Sequence, residues 1–330
     1  MKRPLAGVVL WALLAVGAAQ AEAPFPVEVE SRPIASFAIG SNETRFGALE
    51  FIGGFEMRAA NPAFGQLSAL RFLSPGSAFI GVADHGYWFS GKIGRDAQGV
   101  PTGVADFRMQ RMVDARGRVV TDKHLSDAEG LDVSDGIVTV AFEREARLCE
   151  FALNPQNMAG PLRCLDIVIP RHELRYNRGL EMVARSPVDG QLAGARILVS
   201  ERSIDKNGDL FAAIIEGPQK GVFKVRRSSD FDVTDGAFLP DGDLVLLERR
   251  FSLVTGIGMR LRRIAGAAIR PGALVDGEVL MQADLAHRID NMEGLGAWRR
   301  EDGATILSLV SDDNQSFLQK TLYLEFRLLP

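Results

Sequence analysis

The sequence predicts an all-β protein, a β-propeller of six four-stranded blades with the N- and C-terminal strands closing one blade. Three observations predict it. Short apolar or alternating runs rich in β-branched and aromatic residues are separated by Gly, Pro, Asn and Asp, and helix-type periodicity is scarce after the first residues. A short acidic motif and a strand ending in an acid recur together at intervals of roughly 50 to 60 residues, enough for one four-stranded blade. Strand-like runs are left over at both ends of the chain.

The N-terminus sets the expected compartment. Lys2 and Arg3 precede an almost unbroken apolar run over residues 8–16, and Ala19-Gln20-Ala21 supplies small residues where a signal peptidase reads. That order is the order of a secretory signal peptide, and the run is shorter than the ~20 residues of a membrane-spanning helix. The expectation is a signal peptide over residues 1–21, a mature chain from Glu22 and a single domain over 22–330, periplasmic or secreted. An uncleaved N-terminal anchor is the alternative. No Arg-Arg pair precedes the run, which points to general export, and no cysteine near the cleavage site offers a lipid anchor. No later stretch is apolar for long enough to cross a bilayer. The formal net charge of −4 comes with no basic stripe, which argues against a nucleic-acid partner.

The repeat carries the rest. Asp127-Ala128-Glu129-Gly130-Leu131 resembles Asn291-Met292-Glu293-Gly294-Leu295. Gln66-Leu67-Ser68-Ala69-Leu70 and Thr234-Asp235-Gly236-Ala237 are weaker copies, and Asn177-Arg178-Gly179-Leu180-Glu181 is a variant with its Glu after the Gly-Leu pair. A strand ending in an acid follows each, at Asp84, Glu143, Glu201, Glu248 and Asp312, and then a polar, usually basic, residue: His85, Arg144, Arg202, Arg249 and Asp313. Residues 148–153, 210–215, 259–264 and 321–328 read as a third strand. Residues 34–39 and 48–57 remain and read as strands of a sixth blade, shared with the C-terminal strands, which removes an open sheet edge. Five or seven blades are the alternatives. A two-sheet sandwich is the rival architecture and leaves the long repeat unexplained.

Cys149 and Cys164 are the two cysteines. In an exported chain an even count favours a disulfide. They lie in apolar runs flanking the turn-rich segment from Asn154-Pro155 to Gly160-Pro161, so a cross-strand bridge is expected, with two buried free thiols as the alternative. Two cysteines alone make no zinc framework.

Phe64-Gly65-Gln66-Leu67-Ser68-Ala69-Leu70, followed by Gly81-Val82-Ala83-Asp84-His85-Gly86-Tyr87-Trp88-Phe89, resembles the opening signature of the bacterial phytase-like family, labelled for an esterase-like activity of phytase. The motifs at Asp127, Asn177 and Asn291 are similar to later signatures of that family. The resemblance runs from about Arg45 to the C-terminus. It implies a propeller and a calcium-assisted hydrolysis of a phosphate monoester or other ester. A shared fold does not by itself fix the reaction.

An acid repeated at one blade position becomes a ring of carboxylates around the propeller axis. Glu129, Glu181, Asp235 and Glu293 would form one ring, and Asp84, Glu143, Glu201, Glu248 and Asp312 another, one strand further out. Like charges held close raise one another's pKa, and a cation or a paired arginine removes that cost. Calcium takes six to eight oxygen ligands. The expected metal ligands are therefore Glu129, Glu181, Glu293, Asp84 and Asp312, and the catalytic candidates Glu129, Glu293 and His85. Arg144, Arg178, Arg202 and Arg249 are expected to hold a small anionic ester, since the planar guanidinium donates two bonds to a phosphate or carboxylate. The alternative is structural: acids that cap strand ends and bridge blades through arginine, and a His85 that only bonds a turn carbonyl. Asp205-Lys206-Asn207-Gly208-Asp209 reads as a hairpin turn rather than a calcium loop. Asp312-Asp313-Asn314 reads equally as a calcium holder or a solvated turn.

The chain has no Gly-x-Ser-x-Gly elbow, Walker loop, His-Glu-x-x-His or dinucleotide fingerprint. Hydrolysis here would use metal-activated water rather than a covalent serine. A non-catalytic binding propeller of the cell envelope and a lactonase-like propeller are the other readings.

Overall fold

In the computed structural model, residues 23–228, 230–252, 254 and 256–330 are described, and the expected signal peptide, residues 1–21, lies outside them. The strands form five antiparallel sheets, each built outward from an inner strand. Blade 1 runs Leu67–Phe72, Ala78–Ala83, Tyr87–Arg95 and Pro101–Arg111, with Phe25–Pro26 at its rim. Blade 2 runs Ala128–Ser134, Ile137–Phe142, Arg147–Ala152 and Arg163–Leu165. Blade 3 runs Leu180–Arg185, Arg196–Ile204, Leu210–Ile214 and Gly221–Val225, with Leu274–Val275 added in parallel. Blade 4 runs Asp232–Phe238, Leu244–Ser252, Gly256–Ile264 and Glu278–Asp284. Blade 5 runs Asn291–Arg299, Thr305–Asp312, Thr321–Leu328, Leu49–Arg58 and Glu30–Ile34. Each inner strand packs against the next, and blade 5 returns to blade 1, so the ring is closed.

The propeller therefore has five blades, which corrects the expected six. The expected closure of one blade by both chain ends is present, because Leu49–Arg58 pairs with Thr321–Leu328. Those terminal strands are the outer half of the fifth repeat unit and not a blade of their own.

Five apolar core clusters fill the five blade-to-blade interfaces. Every blade is thus covered on both faces. This explains why strands such as Ile137–Phe142 and Thr305–Asp312 are buried almost throughout instead of alternating. Turn chemistry punctuates them. Asp135 and Gly136 both take positive φ between the paired Ser134 and Ile137, the conformation a two-residue hairpin demands.

One irregularity recurs in all five blades. The inner strand carries a β-bulge against the second strand, and the extra residue is Ser68, Glu129, Glu181, Thr234 or Glu293. A bulge inserts one unpaired residue and re-aims its side chain. The glycine after the bulged glutamate has a packing reason. A Cβ on Gly130 would lie 2.5 Å from the Glu181 carbonyl oxygen, and one on Gly294 would lie 2.6 Å from Val310 and 3.2 Å from the Ser68 carbonyl oxygen.

Deeper along the axis, Arg71 of blade 1 crosses to Asp235 of blade 4. Its two terminal nitrogens donate to the two carboxylate oxygens at 2.7 Å each. They also donate to the carbonyls of Leu70, Val183, Gly236 and Leu295, the equivalent residue of four blades.

Cys149 and Cys164 form the expected disulfide, directly opposite each other on adjacent strands. It fastens the three-residue outer strand of blade 2 across a separation of 15 residues. Closing a loop of that size contributes about 3 kcal/mol, so the paired variant Cys149→Ala, Cys164→Ala should lower the denaturant midpoint accordingly, and an unchanged midpoint would deny the bridge a stabilising role. Removing one member of a buried ion pair costs about 3–5 kcal/mol. Arg71→Met should show that loss in urea unfolding, and Arg71→Met with Asp235→Leu should recover part of it; equal stability of parent and single variant would refute the axial pin.

Candidate functional site

The inner strands begin, and the second strands end, around a cavity of about 950 Å³ at one end of the channel. The bulge aims Glu129, Glu181 and Glu293 into it. The second-strand position beside the bulge supplies Asp84, Glu143, Glu201, Arg249 and Asp312. Ten carboxylates and seven cationic side chains line the cavity, so full ionisation would leave it negative.

Two groups of three carboxylates converge, each with ligand atoms within 4.8 Å of one another: Asp84 with Asp127 and Glu129, and Glu143 with Glu181 and Glu201. They differ in what neutralises them. Lys123 sits on the short helix Lys123–Ser126, which Asp122 caps at the His124 N–H. Its ammonium lies 2.7 Å from Asp84 and 2.5 Å from Asp127, and Arg144 lies 2.9 Å from Asp127. The first group therefore already contains its cations. In the second, Gly179 N–H donates to Glu143 at 3.2 Å and Arg249 approaches Glu201 at 3.4 Å. No lysine or arginine is paired with Glu143 or Glu181 among the described residues.

The protonation equilibria follow this difference at Asp84 but not at Glu129. Burial, then the charges of Glu201 and Asp127, push Glu143 up to about 8. Burial and the charges of Glu201, Glu129 and Glu143 push Glu181 far above the usual carboxylate range. Burial also raises Glu129, with Asp127 and Asp84 adding to it. Glu293 rises to about 8 through burial, although Arg249 at 3.2 Å pulls it back. Asp312 rises to about 7 through burial. For Asp84 burial is outweighed by His85 and Lys123, which hold it below the usual range.

All five expected metal ligands and all four expected anion-binding arginines line this one cavity. Glu129 and Asp84 fall in one carboxylate group, Glu181 in the other, and Glu293 and Asp312 in neither. The arginines already face acids: Arg144 faces Asp127, Arg249 faces Glu293 and Glu201, and Arg178 and Arg202 share Asp232 at 3.9 and 3.6 Å. The last two are the loosest held and the most exposed of the four.

Three other residues lie elsewhere. His85 does not line the cavity; its Nε2 is 3.1 Å from the Ala63 carbonyl and its ring packs on Tyr87. Asp235 does not join the inner ring, because the bulge in blade 4 falls one residue earlier, at Thr234, which turns Asp235 to Arg71. Glu248 does not join the outer ring, because Arg249 holds that position. A one-residue slip on a strand reverses the face, so Glu248 pairs instead with Arg260 and Arg262, each at 2.6 Å.

Sequence reading missed Asp127, Lys123 and Asp232 as cavity residues. Alignment on the bulge would have found two of them, since Asp127, Asp232 and Asn291 all stand two residues before the bulged position. The Asp205–Asp209 segment is a hairpin turn, with Asp205 accepting from the Asn207 and Asp209 N–H groups.

The chain matches the family described as "Phytase-like: Esterase-like activity of phytase" over residues 62–315. No curated protein matches it. Among solved structures it is similar to a PQQ-bound aldose sugar dehydrogenase from Streptomyces coelicolor, at 12% identity and a TM-score of 0.43, covering 92% of this chain and 99% of that one. It is similar to the glutaminyl cyclase of Myxococcus xanthus at 12% identity and a TM-score of 0.40, covering 81% and 92%. An endo-arabinase from Bacteroides thetaiotaomicron gives 12% and 0.44, covering 88% and 96%. Likenesses this distant carry no argument about activity. The family match spans every bulged glutamate and every second-strand acid of the cavity, and the chain belongs to the phytase-like family.

Proposed function

We propose that this protein is an exported hydrolase of a phosphate monoester or other ester, acting in the acidic cavity with a divalent cation, calcium, held by Glu143, Glu181 and Glu201. One observation carries the reading: three buried carboxylates converge, and Glu143 and Glu181 have no lysine or arginine partner among the described residues, while the neighbouring group is filled by Lys123. The donor set fits a hard cation, being all oxygen and drawn from two strands, at Glu181 and Glu201, and from the turn after Ile137–Phe142. Such an ion, when bound, supplies Lewis-acid polarisation of an ester oxygen and a more acidic water.

The chain's own groups supply the rest. Glu129 and Glu293 line the same cavity, and burial raises both carboxyls above the usual range, Glu293 to about 8, which suits a group that gives and takes a proton. Asn291 donates to Glu293 at 2.6 Å and Arg249 lies beside it, which orients its carboxyl. Arg178 and Arg202 can turn from Asp232 to the anionic group of the substrate. Were all of the carboxyls ionised they would repel an anionic ester, and a bound cation would offset that charge. The disulfide supports an oxidising compartment, periplasmic or extracellular.

Binding to the folded state alone raises stability by about 2.7 kcal/mol at a hundredfold excess over Kd. Thermal unfolding should therefore shift upward with calcium and return with a chelator, and Glu181→Gln should abolish the shift while leaving the fold intact. A parent protein indifferent to calcium and to other divalent ions would remove the cation from this account. Turnover is checked with phosphate monoesters, phytate, carboxylic esters and lactones, each with calcium and with chelator. One class should be hydrolysed in a chelator-sensitive way, and Glu129→Gln or Glu293→Gln should slow it by about 10²–10⁴, the usual contribution of a general acid or base. No turnover by folded protein would make the cavity a binding site only.

A further inference from the structure

We infer that the ester taken by this site carries an apolar arm, seated in a groove that opens from the acidic cavity between blades 4 and 5. The inference rests on the proposed function for the head group and adds the substrate class. The groove has a volume of about 670 Å³ and shares Arg249, Arg250, Phe251, Asn291 and Asn314 with the acidic cavity, so the two are continuous.

Their linings differ sharply. Among the described residues, Phe251 is the single apolar side chain lining the acidic cavity. In the groove it is joined by Ile39, Leu285 and Leu318. These four are 70%, 59%, 59% and 76% exposed, in a chain whose large apolar side chains are otherwise mostly buried in the blade interfaces. Apolar side chains that line a concavity beside a polar site are the usual lining of a ligand pocket. Scattered single exposures need no such explanation, but these four face one groove.

The junction between the two carries charge. Arg249 and Arg250 line both cavities. The Arg250 guanidinium lies 5.2 Å over the Phe231 ring, and its Nε is buried with no hydrogen-bond partner. Gly258 leaves the space for it, since a Cβ there would lie 2.9 Å from that Nε. An anionic group at this junction would meet both arginines, with the acidic cavity on one side and the apolar wall on the other. A ligand that satisfies both sides is an anionic ester whose apolar chain begins within a few bonds of the charge. A purely polyanionic ester leaves the apolar wall wet.

The test is calorimetric titration of the calcium-loaded protein with n-alkyl phosphates from ethyl to hexyl, with inorganic phosphate as the reference and turnover followed in parallel. Burial of each methylene is worth up to about fourfold in affinity, so the series should gain about tenfold or more from end to end. The variant Leu285→Ser, Leu318→Ser changes two exposed side chains and should flatten the series. Equal affinity along the series, or no binding by any member, overturns the inference. So does a flat series from a protein that sediments with phosphatidylcholine vesicles, because the apolar wall would then face a lipid surface. A steep series without turnover keeps the groove and refutes hydrolysis. Turnover with a flat series keeps hydrolysis and refutes the groove.

Discussion

The propeller depends on how its axis is filled. Four of the five inner strands direct the same carbonyl at the axis, and Arg71 meets all four with one side chain. It pairs with Asp235 through both terminal nitrogens and meets the equivalent carbonyl of four blades. A buried ion pair is weak evidence of stability by itself, because desolvation offsets the attraction. Here the surrounding carbonyls use the remaining donors, so the pair costs no unsatisfied group and ties blades 1, 3, 4 and 5 to one point. It also forms the floor on which the acidic cavity stands.

Above that floor, a single inserted residue per blade decides the chemistry. The bulge converts what would be a ladder position into a side chain aimed at the axis. Blades 2, 3 and 5 use it for Glu129, Glu181 and Glu293, and blades 1 and 4 use it for Ser68 and Thr234. The neighbouring second-strand position is acidic in four blades and is Arg249 in blade 4. The cavity is therefore not a uniform ring. At these two positions carboxylates accumulate on blades 2 and 3, while blade 4 places Arg249 next to the apolar groove. A bound ester would be oriented by that asymmetry.

The fold class was legible because propeller blades are covered on both faces, which leaves short continuous apolar runs such as residues 137–142 between turn residues. The blade count was not, because Leu49–Arg58 and Thr321–Leu328 look like surplus strands until they are seen to pair with each other. Glu129 and Glu293 were legible from near-identical motifs. Glu181 was legible only as a variant, since its blade has Gly-Leu before the glutamate instead of after it. Asp235 and Glu248 were misplaced because a β-bulge adds a residue without leaving a mark in composition, and one residue on a strand exchanges the two faces. The groove was beyond sequence reasoning. Its wall joins Ile39, Phe251, Leu285 and Leu318, which lie far apart in the chain and belong to no motif.

The two carboxylate groups make the argument for a cation sharper than either does alone. They are neighbours around the same axis and each contains a bulged glutamate, yet among the described residues only one contains an ammonium. Where Lys123 reaches in, His85 and Lys123 hold Asp84 below the usual carboxylate range despite burial, although Glu129 of that group still rises. Where no lysine reaches in, Glu143 and Glu181 rise well above it. The same fold thus displays one carboxylate cluster filled by a lysine and one whose only paired cation, among the described residues, is Arg249 at Glu201. Burying three carboxylates together without a counter-charge forces protons onto them, and a divalent ion competes for those positions at neutral pH. A cluster meant only to be structural would be served by a second lysine. Both clusters line the open cavity, but the second lies next to Arg178 and Arg202, which hold Asp232 loosely, where an incoming ion and an anionic ester can meet.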